Sequence, residues 1–296
     1  YGLDAVLSLP RKQWVRNIKR FKWASVAQEM TSLVRAVKQR DYDLVLDLQG
    51  LWKSAVPAWF TRASQRIGLD CREGSHRLMT DVVQSPQGDK RIASEYKALL
   101  EHLNIISDEY RLGIQVSDED RSKALEIRTN HQVDRDYILF CPFTTRPQKH
   151  WLESSWSQLA QQIGSELKMP VLILGGPADQ PKAQGLETMS QNAMINLAGL
   201  TTLRQSLALI QEASLVIGVD TGLTHMGVLS NVPTIALFGS TCPYLDTDNP
   251  KARVLYQNLP CSPCKRNPTC NGQFHCMRAL TADAVKEAAL EVVAGC

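Results

Sequence analysis

Residues 215–222, Leu-Val-Ile-Gly-Val-Asp-Thr-Gly, constrain the fold of this chain more than any other stretch. The run Leu215-Val216-Ile217 is short, apolar and β-branched, as expected of a strand buried on both faces of a parallel sheet. It ends at Asp220, and Thr221-Gly222 opens a segment in which Leu223, Met226, Val228 and Leu229 recur at helical spacing. A strand feeding directly into a helix leaves the amides of Thr221, Gly222 and Leu223 without intrahelical partners. With the positive end of the helix dipole these donors make a site for a diphosphate, and Gly222 leaves the backbone open to close approach. Asp220 then has two readings, a helix N-cap or a ligand-site carboxylate.

The second half repeats this alternation. A strand at 137–141 leads through the loop 142–151 to a helix near 154–167. A strand at 171–174 runs into Gly175-Gly176-Pro177-Ala178-Asp179 and another helix, and a helix at 203–213 precedes the central strand. A further strand covers 234–239, and an amphipathic helix covers 281–293. Such alternation predicts an α/β fold with a right-handed parallel sheet covered on both faces. The first half reads as an edge strand at 3–9, an amphipathic helix at 26–39 and a buried strand at 43–50 that runs into a helix from Leu51. A short strand at 66–70 and helices at 92–103 and 117–130 follow. The boundary is placed near residue 132, dividing the chain into 1–132, 133–279 and a terminal helix at 280–296.

With 296 residues, 44% of them hydrophobic, the chain has ample material for a core, and its formal charge of +3 gives no argument for nucleic acid. No apolar run approaches the roughly 20 residues of a membrane span, and no secretion signal is visible, which points to a reducing cytoplasm and free thiols. One local excess stands out: residues 11–23, Arg-Lys-Gln-Trp-Val-Arg-Asn-Ile-Lys-Arg-Phe-Lys-Trp, are basic and aromatic with no acid. They read either as a solvated loop or as a contact for an anionic surface, with cations on phosphates and Trp at the interface.

Three strand-end loops in the second half carry the chemistry: 144–149, 175–179 and 220–225. They offer Thr144, Thr145 and Lys149, a glycine pair with Asp179, and a helix N-terminus with Asp220, Thr221, Gly222, Leu223, Thr224 and His225. Lys149 supplies a point charge for phosphate, and Asp179 is placed to accept from a ribose. There is neither G-x-x-x-x-G-K-[ST] nor G-x-G-x-x-G, so a P-loop enzyme and a standard dinucleotide enzyme are unsupported. A lone histidine is more often packed than catalytic, but His225 beside Asp220 and Thr221 is assigned to the site. In the first half, Asp47, Gln49 and Lys53 lie where a parallel strand ends, and read either as site residues or as a cap and turn.

Val219-Asp220-Thr221-Gly222-Leu223-Thr224-His225, with the later 233–241 stretch Pro-Thr-Ile-Ala-Leu-Phe-Gly-Ser-Thr, resembles the nucleotide-sugar signature of the ADP-heptose:lipopolysaccharide heptosyltransferases. Residues 144–151, Thr-Thr-Arg-Pro-Gln-Lys-His-Trp, are similar to the second donor motif of that family, and residues 47–55, Asp-Leu-Gln-Gly-Leu-Trp-Lys-Ser-Ala, to its acceptor-domain motif. The likeness runs through essentially the whole chain.

The resemblance implies a GT-B fold, two Rossmann-like domains facing a cleft, and inverting, metal-independent transfer of L-glycero-D-manno-heptose from ADP-heptose to the Kdo-lipid A inner core. It implies that Asp220, Thr221, Gly222, Leu223 and His225 hold the diphosphate and sugar, while Thr144, Thr145 and Lys149 stabilise the departing ADP. No cofactor is required, and the enzyme is placed in the cytoplasm, peripheral to the inner membrane. The family's opening strand and its loop with a general-base aspartate have no counterpart here, so the sequence is expected to be a piece that begins inside the first domain and is inactive without that base. Two other functions fit the residues: a sugar-nucleotide 2-epimerase of related fold, and a non-catalytic nucleotide- or lipid-binding domain.

Cys261, Cys264, Cys270 and Cys276, with His275 beside the last, form a separate cluster. The Cys-x-x-Cys start suggests structural zinc, but the second pair lacks that spacing, which favours ordinary thiols.

Overall fold

The structure is a computed structural model that describes residues 3–86, 88, 91–105, 113–134, 136–247 and 249–295, leaving out the side chains of Arg11 and Lys12. The chain forms two compact units, Tyr1–Asp89 with Ala93–Asp108, and Lys90–Ile92 with Glu109–Cys296.

The first unit runs α1 (Arg11–Lys19), α2 (Trp23–Lys38), β1 (Leu44–Asp47), α3 (Trp52–Phe60), β2 (Gln65–Leu69), β3 (Asp81–Val83) and α4 (Ser94–His102). Its strands pair in parallel in the order β1-β2-β3. Ile67, Leu69 and Val83 point to one face, where Leu99 of α4 covers them, and Val45 lies on the other with Ala55 and Ala58 of α3. Two expectations fail here. Residues 3–9 form no strand: they are exposed throughout and, among the described residues, hydrogen-bond to no neighbouring strand, which extended backbone needs. The strand at 43–50 is shorter than expected and half-exposed, with Leu44 at 37% and Leu46 at 38%; among the described strands β1 pairs with β2 alone.

The second unit opens with α5 (Asp118–Asn130) and continues through β4 (Ile138–Cys141), α6 (Glu153–Leu167), β5 (Val171–Ile173), α7 (Gln180–Met189), β6 (Met194–Asn196), α8 (Leu203–Gln211), β7 (Leu215–Val219), α9 (Gly222–Leu229), β8 (Thr234–Phe238), β9 (Ala252–Tyr256), α10 (His275–Arg278) and α11 (Ala282–Ala294). All six of its described strands are parallel, in the order β6-β5-β4-β7-β8-β9. Alternate residues feed opposite faces, as the two-residue strand period requires. Ile138, Phe140, Leu215, Ile217 and Val219 meet α6, α7 and α11 on one side. Leu139, Cys141, Leu172 and Val216 meet α5, α8 and α9 on the other. Each fully buried Leu, Ile or Phe contributes about 1.5–3 kcal/mol, so these central strands anchor the unit.

The sequence boundary near residue 132 leaves α5 with the first domain, whereas the structure packs it onto α8 of the second unit. Ala124 is fully buried there, Arg128 pairs with Glu212 at 3.1 Å, and its guanidinium lies 4.9 Å from the Tyr137 ring. The helix docks through Ala124, Ile127 and its arginines, too short an apolar stripe to leave a clear periodic trace.

Gly218 lets α9 lie close to the strand that feeds it. A Cβ there would come within 2.0 Å of Thr224 Oγ1 and 2.8 Å of Cys141 Cβ. Thr224 is fully buried and donates to the carbonyl of Val219 at 2.7 Å, so it has nowhere to retreat. Gly218→Ala should cost about 1–3 kcal/mol by overpacking, read as a lowered midpoint in denaturant unfolding; an unchanged midpoint would mean that the α9 junction is loosely packed.

Candidate active site

In the second unit, β4, β5 and β6 extend the sheet in one direction, and β7, β8 and β9 extend it in the other from the far side of β4. The topological switch therefore lies between β4 and β7, where open parallel sheets place their ligands beyond the carboxyl ends of the strands. Two of the three loops singled out from the sequence leave these two strands, and they are bonded together. Thr144 Oγ1 donates to the carbonyl of Asp220 at 3.3 Å, and Lys149 Nζ lies 2.6 Å from Asp220 Oδ2.

Asp220 is the hub. Besides Lys149, Thr241 Oγ1 donates to Oδ2, and His225 Nε2 lies 3.1 Å from Oδ1. The carboxylate thus spans the ends of three strands, with Asp220 after β7, Lys149 from the loop after β4 and Thr241 after β8. It caps nothing: the N-cap of α9 is Thr221, which makes no side-chain capping bond. Burial pushes the Asp220 carboxyl up, but hydrogen bonds from His225, Lys149 and Thr241, with the lysine charge, outweigh it and hold the group well below the usual carboxylate range.

The first turn of α9 presents what the sequence promised. Gly222 is exposed and a Cβ there would meet nothing within 4 Å, so an anion has open access to the leading amides. Lys149, adjacent through Asp220, adds a fixed positive charge. The loop carrying it is built rigidly: His150 Nε2 donates to the Thr144 carbonyl at 3.0 Å, and Gln148, buried, donates to the Lys265 carbonyl at 3.1 Å. Burial, with the charge of Lys182, lowers the pKa of His150 and keeps it neutral in this role. Thr145 is exposed on the same loop.

Other sequence-assigned residues lie elsewhere or are already engaged. Thr224 faces the interior rather than a ligand. The Leu223 side chain packs into the core, leaving only its amide for the site. Asp179 Oδ2 accepts from the Gly176 amide at 3.0 Å, closing its own turn. In the first unit, Asp47 Oδ1 accepts from the amides of Gln49 and Gly50 at 3.0 and 3.1 Å, the turn reading of that motif, while Gln49 and Lys53 are exposed at its rim.

Thr241 and Tyr244 belong to the site and were not assigned from sequence. Thr241 follows β8 at its carboxyl end, so the rule that selected Lys149 and Asp220 would have reached it. Tyr244, whose hydroxyl lies 2.7 Å from His225 Nδ1, carried no such signal.

The cysteine cluster is a packing loop beside the site. Ser262 Oγ donates to the Gly239 carbonyl and the Lys265 amide to the Ser240 carbonyl, both at 2.6 Å. The four cysteines are free thiols, and among the described residues no three His, Cys, Asp or Glu are placed to share a metal ion. Nor, among those residues, is any helix long and apolar enough to cross a membrane.

The signature of glycosyltransferase family 9 (heptosyltransferase) matches residues 30–275. Lipopolysaccharide heptosyltransferase 1 of Pseudomonas aeruginosa is 28% identical over 284 residues, covering 90% of this chain and 73% of that protein. The crystal structure of a glycosyl transferase family 9 protein from Veillonella parvula superposes with a TM-score of 0.75 at 21% identity, over 90% of this chain and 79% of that one. That of E. coli heptosyltransferase WaaC with ADP-2-deoxy-2-fluoro heptose superposes with a TM-score of 0.69 at 22% identity, over 97% and 83%. These solved folds bear out the expected fold class.

A carboxyl whose pKa is depressed on folding stabilises the protein above its unfolded pKa, and that contribution fades as pH falls through the folded one. The Asp220 share should therefore be complete above about pH 4 and decline below it. Asp220→Asn is expected to lose about 1–3 kcal/mol near neutrality and to show a smaller further loss than the parent between pH 5 and pH 3 in urea unfolding. Parallel acid profiles for the two proteins would remove Asp220 from the hub.

Proposed function

Because the chain belongs to glycosyltransferase family 9, the heptosyltransferases, we propose that it moves L-glycero-D-manno-heptose from ADP-heptose to the Kdo-lipid A inner core of lipopolysaccharide, with inversion and without a metal. The observation that carries this reading is Lys149 held against Asp220 at the switch between β4 and β7, next to the open first turn of α9. A diphosphate seated there meets backbone dipoles and an ammonium together. In the reaction an acceptor hydroxyl oxygen gives its proton to a general base and bonds to the anomeric carbon as the bond from that carbon to the ADP oxygen breaks. The electron pair leaves with ADP, and the growing charge is what the α9 amides and Lys149 stabilise. Thr144 and Thr145 flank that phosphate on the β4 loop. The Pseudomonas relative is named for lipopolysaccharide and the E. coli structure holds an ADP-heptose analogue, which supports the coarser reading of heptosyl transfer in lipopolysaccharide synthesis.

The acceptor is a lipid, and the first unit offers a surface suited to it. The basic aromatic stretch is not a loop but α1, a turn and the start of α2. Trp14 Nε1 donates to Glu29 Oε2 at 2.6 Å and ties the two helices. Phe21 is 84% exposed and Trp23 58%, with Lys19, Arg20 and Lys22 exposed around them. This juxtaposition suits an anionic headgroup layer, the cytoplasmic face of the inner membrane in this reading.

Lys149→Ala tests the chemistry. Its charge interaction strengthens as ADP departs, so kcat should fall by about tenfold or more while the donor KM changes much less. A change confined to KM would show that Lys149 only grips the ground state. ADP release that requires the acceptor separates transfer from epimerisation. For the surface, each basic residue near an anionic membrane contributes about 1 kcal/mol. Replacing Lys19, Arg20 and Lys22 with Gln should therefore weaken binding to phosphatidylserine-containing vesicles on the order of a hundredfold at low salt. Undiminished vesicle binding would return the stretch to an ordinary solvated face.

A further inference from the structure

His225 lies between two oxygens. Asp220 Oδ1 is 3.1 Å from Nε2, and the Tyr244 hydroxyl is 2.7 Å from Nδ1. An ionised Asp220 can only accept, so Nε2 carries a hydrogen. The hydrogen between Nδ1 and Tyr244 is settled by the phenol. Tyr244 is 4% exposed, and burial, then the charge of Asp220 and the thiol of Cys242, push its pKa above the ordinary value, so it keeps its proton. A buried O–H requires an acceptor, and Nδ1 stands at hydrogen-bond length.

Packing fixes the same geometry. The Tyr244 ring meets the imidazole edge-on, with centroids 5.4 Å apart at 62°. Phe238 braces both rings, 5.2 Å from Tyr244 and 6.1 Å from His225. The charged groups bearing on the imidazole are Asp220, in direct contact, and Lys149, on the far oxygen of that carboxylate.

We propose that Tyr244 is a positioning residue: its phenol donates to Nδ1 of His225, locks the imidazole in the Nε2–H tautomer, and so directs His225 to donate to Asp220. Asp220 is then held through Oδ1 by His225 and through Oδ2 by Thr241 and Lys149, which fixes the lysine beside the α9 N-terminus. Tyr244 itself reaches none of the phosphate-binding groups and acts through His225. Its importance for turnover rests on the proposed heptosyl transfer; the tautomer does not.

The test uses the full chain with 15N-labelled histidine, the His225 signals being identified by their loss in His225→Gln. In the parent, Nδ1 should resonate in the unprotonated range and Nε2 in the protonated range. Tyr244→Phe, which keeps the ring and removes the donor, should draw the two resonances together. A protonated Nδ1 in the parent, or an unchanged pair in Tyr244→Phe, overturns the proposal. In kinetics, Tyr244→Phe should lower kcat about three- to tenfold, the worth of one hydrogen bond, and leave donor KM within about twofold. That effect should vanish in a His225→Gln background; the same loss in both backgrounds overturns action through His225. Should the phenylalanine variant fail to fold, a fluorotyrosine at 244, a stronger donor of the same shape, should spread the two resonances further, and no change would overturn the proposal. A parent without acceptor-dependent transfer would defeat the heptosyltransferase reading alone, since the spectra still decide the tautomer.

Discussion

A single carboxylate, Asp220, ties the ends of three neighbouring strands together. It is nearly buried, and burial of an unpaired carboxylate is costly. The cost is met by three donors from three places in the chain: Lys149, Thr241 and His225. None of these bonds satisfies the α9 N-terminus. The helix keeps its leading amides free for a ligand because the adjacent carboxylate, which in another protein would cap them, is engaged sideways.

That arrangement depends on a sheet rigid enough to hold strand ends in register. In the second unit β4, β7 and β8 are buried on both faces, and parallel pairing brings Cys141 opposite Gly218 and Gly218 opposite Ala236. The missing side chain at Gly218 brings α9 against β7, and the Thr224 hydroxyl fills the remaining space. The cysteine-bearing loop then closes over the end of β8 through Ser262 and Lys265. The site is therefore built on strand termini, with its loops bonded back to the scaffold.

Much of this was legible in the residues. Strand–helix alternation predicted the parallel sheet, and the loops after β4 and β7 were selected because strand ends in such sheets face ligands. The misreadings have definite causes. Residues 3–9 alternate like a strand, but whether a strand forms depends on a partner's backbone. Helix α5 was placed before the boundary, whereas it docks on α8 through Ala124, Ile127 and arginines, too little apolar surface to register as hydrophobic periodicity. Thr224 was grouped with the site as part of the helix start after β7, yet on a helix neighbouring residues point about 100° apart, and Thr224 faces inward.

The sequence by itself determined the strand–turn–helix units and the residue types at their junctions, because these follow from local periodicity and from the orphan amides of a helix start. It also carried the family motifs. The tertiary structure alone decided which junctions meet. Lys149 and Asp220 are 71 residues apart, and only the placement of β4 beside β7 makes them a pair. Tyr244 likewise becomes a partner of His225 only when the chain after β8 turns back over Phe238. Pairing across a sheet is set by strand order and by the packing of both faces, and neither is written in any local stretch of residues.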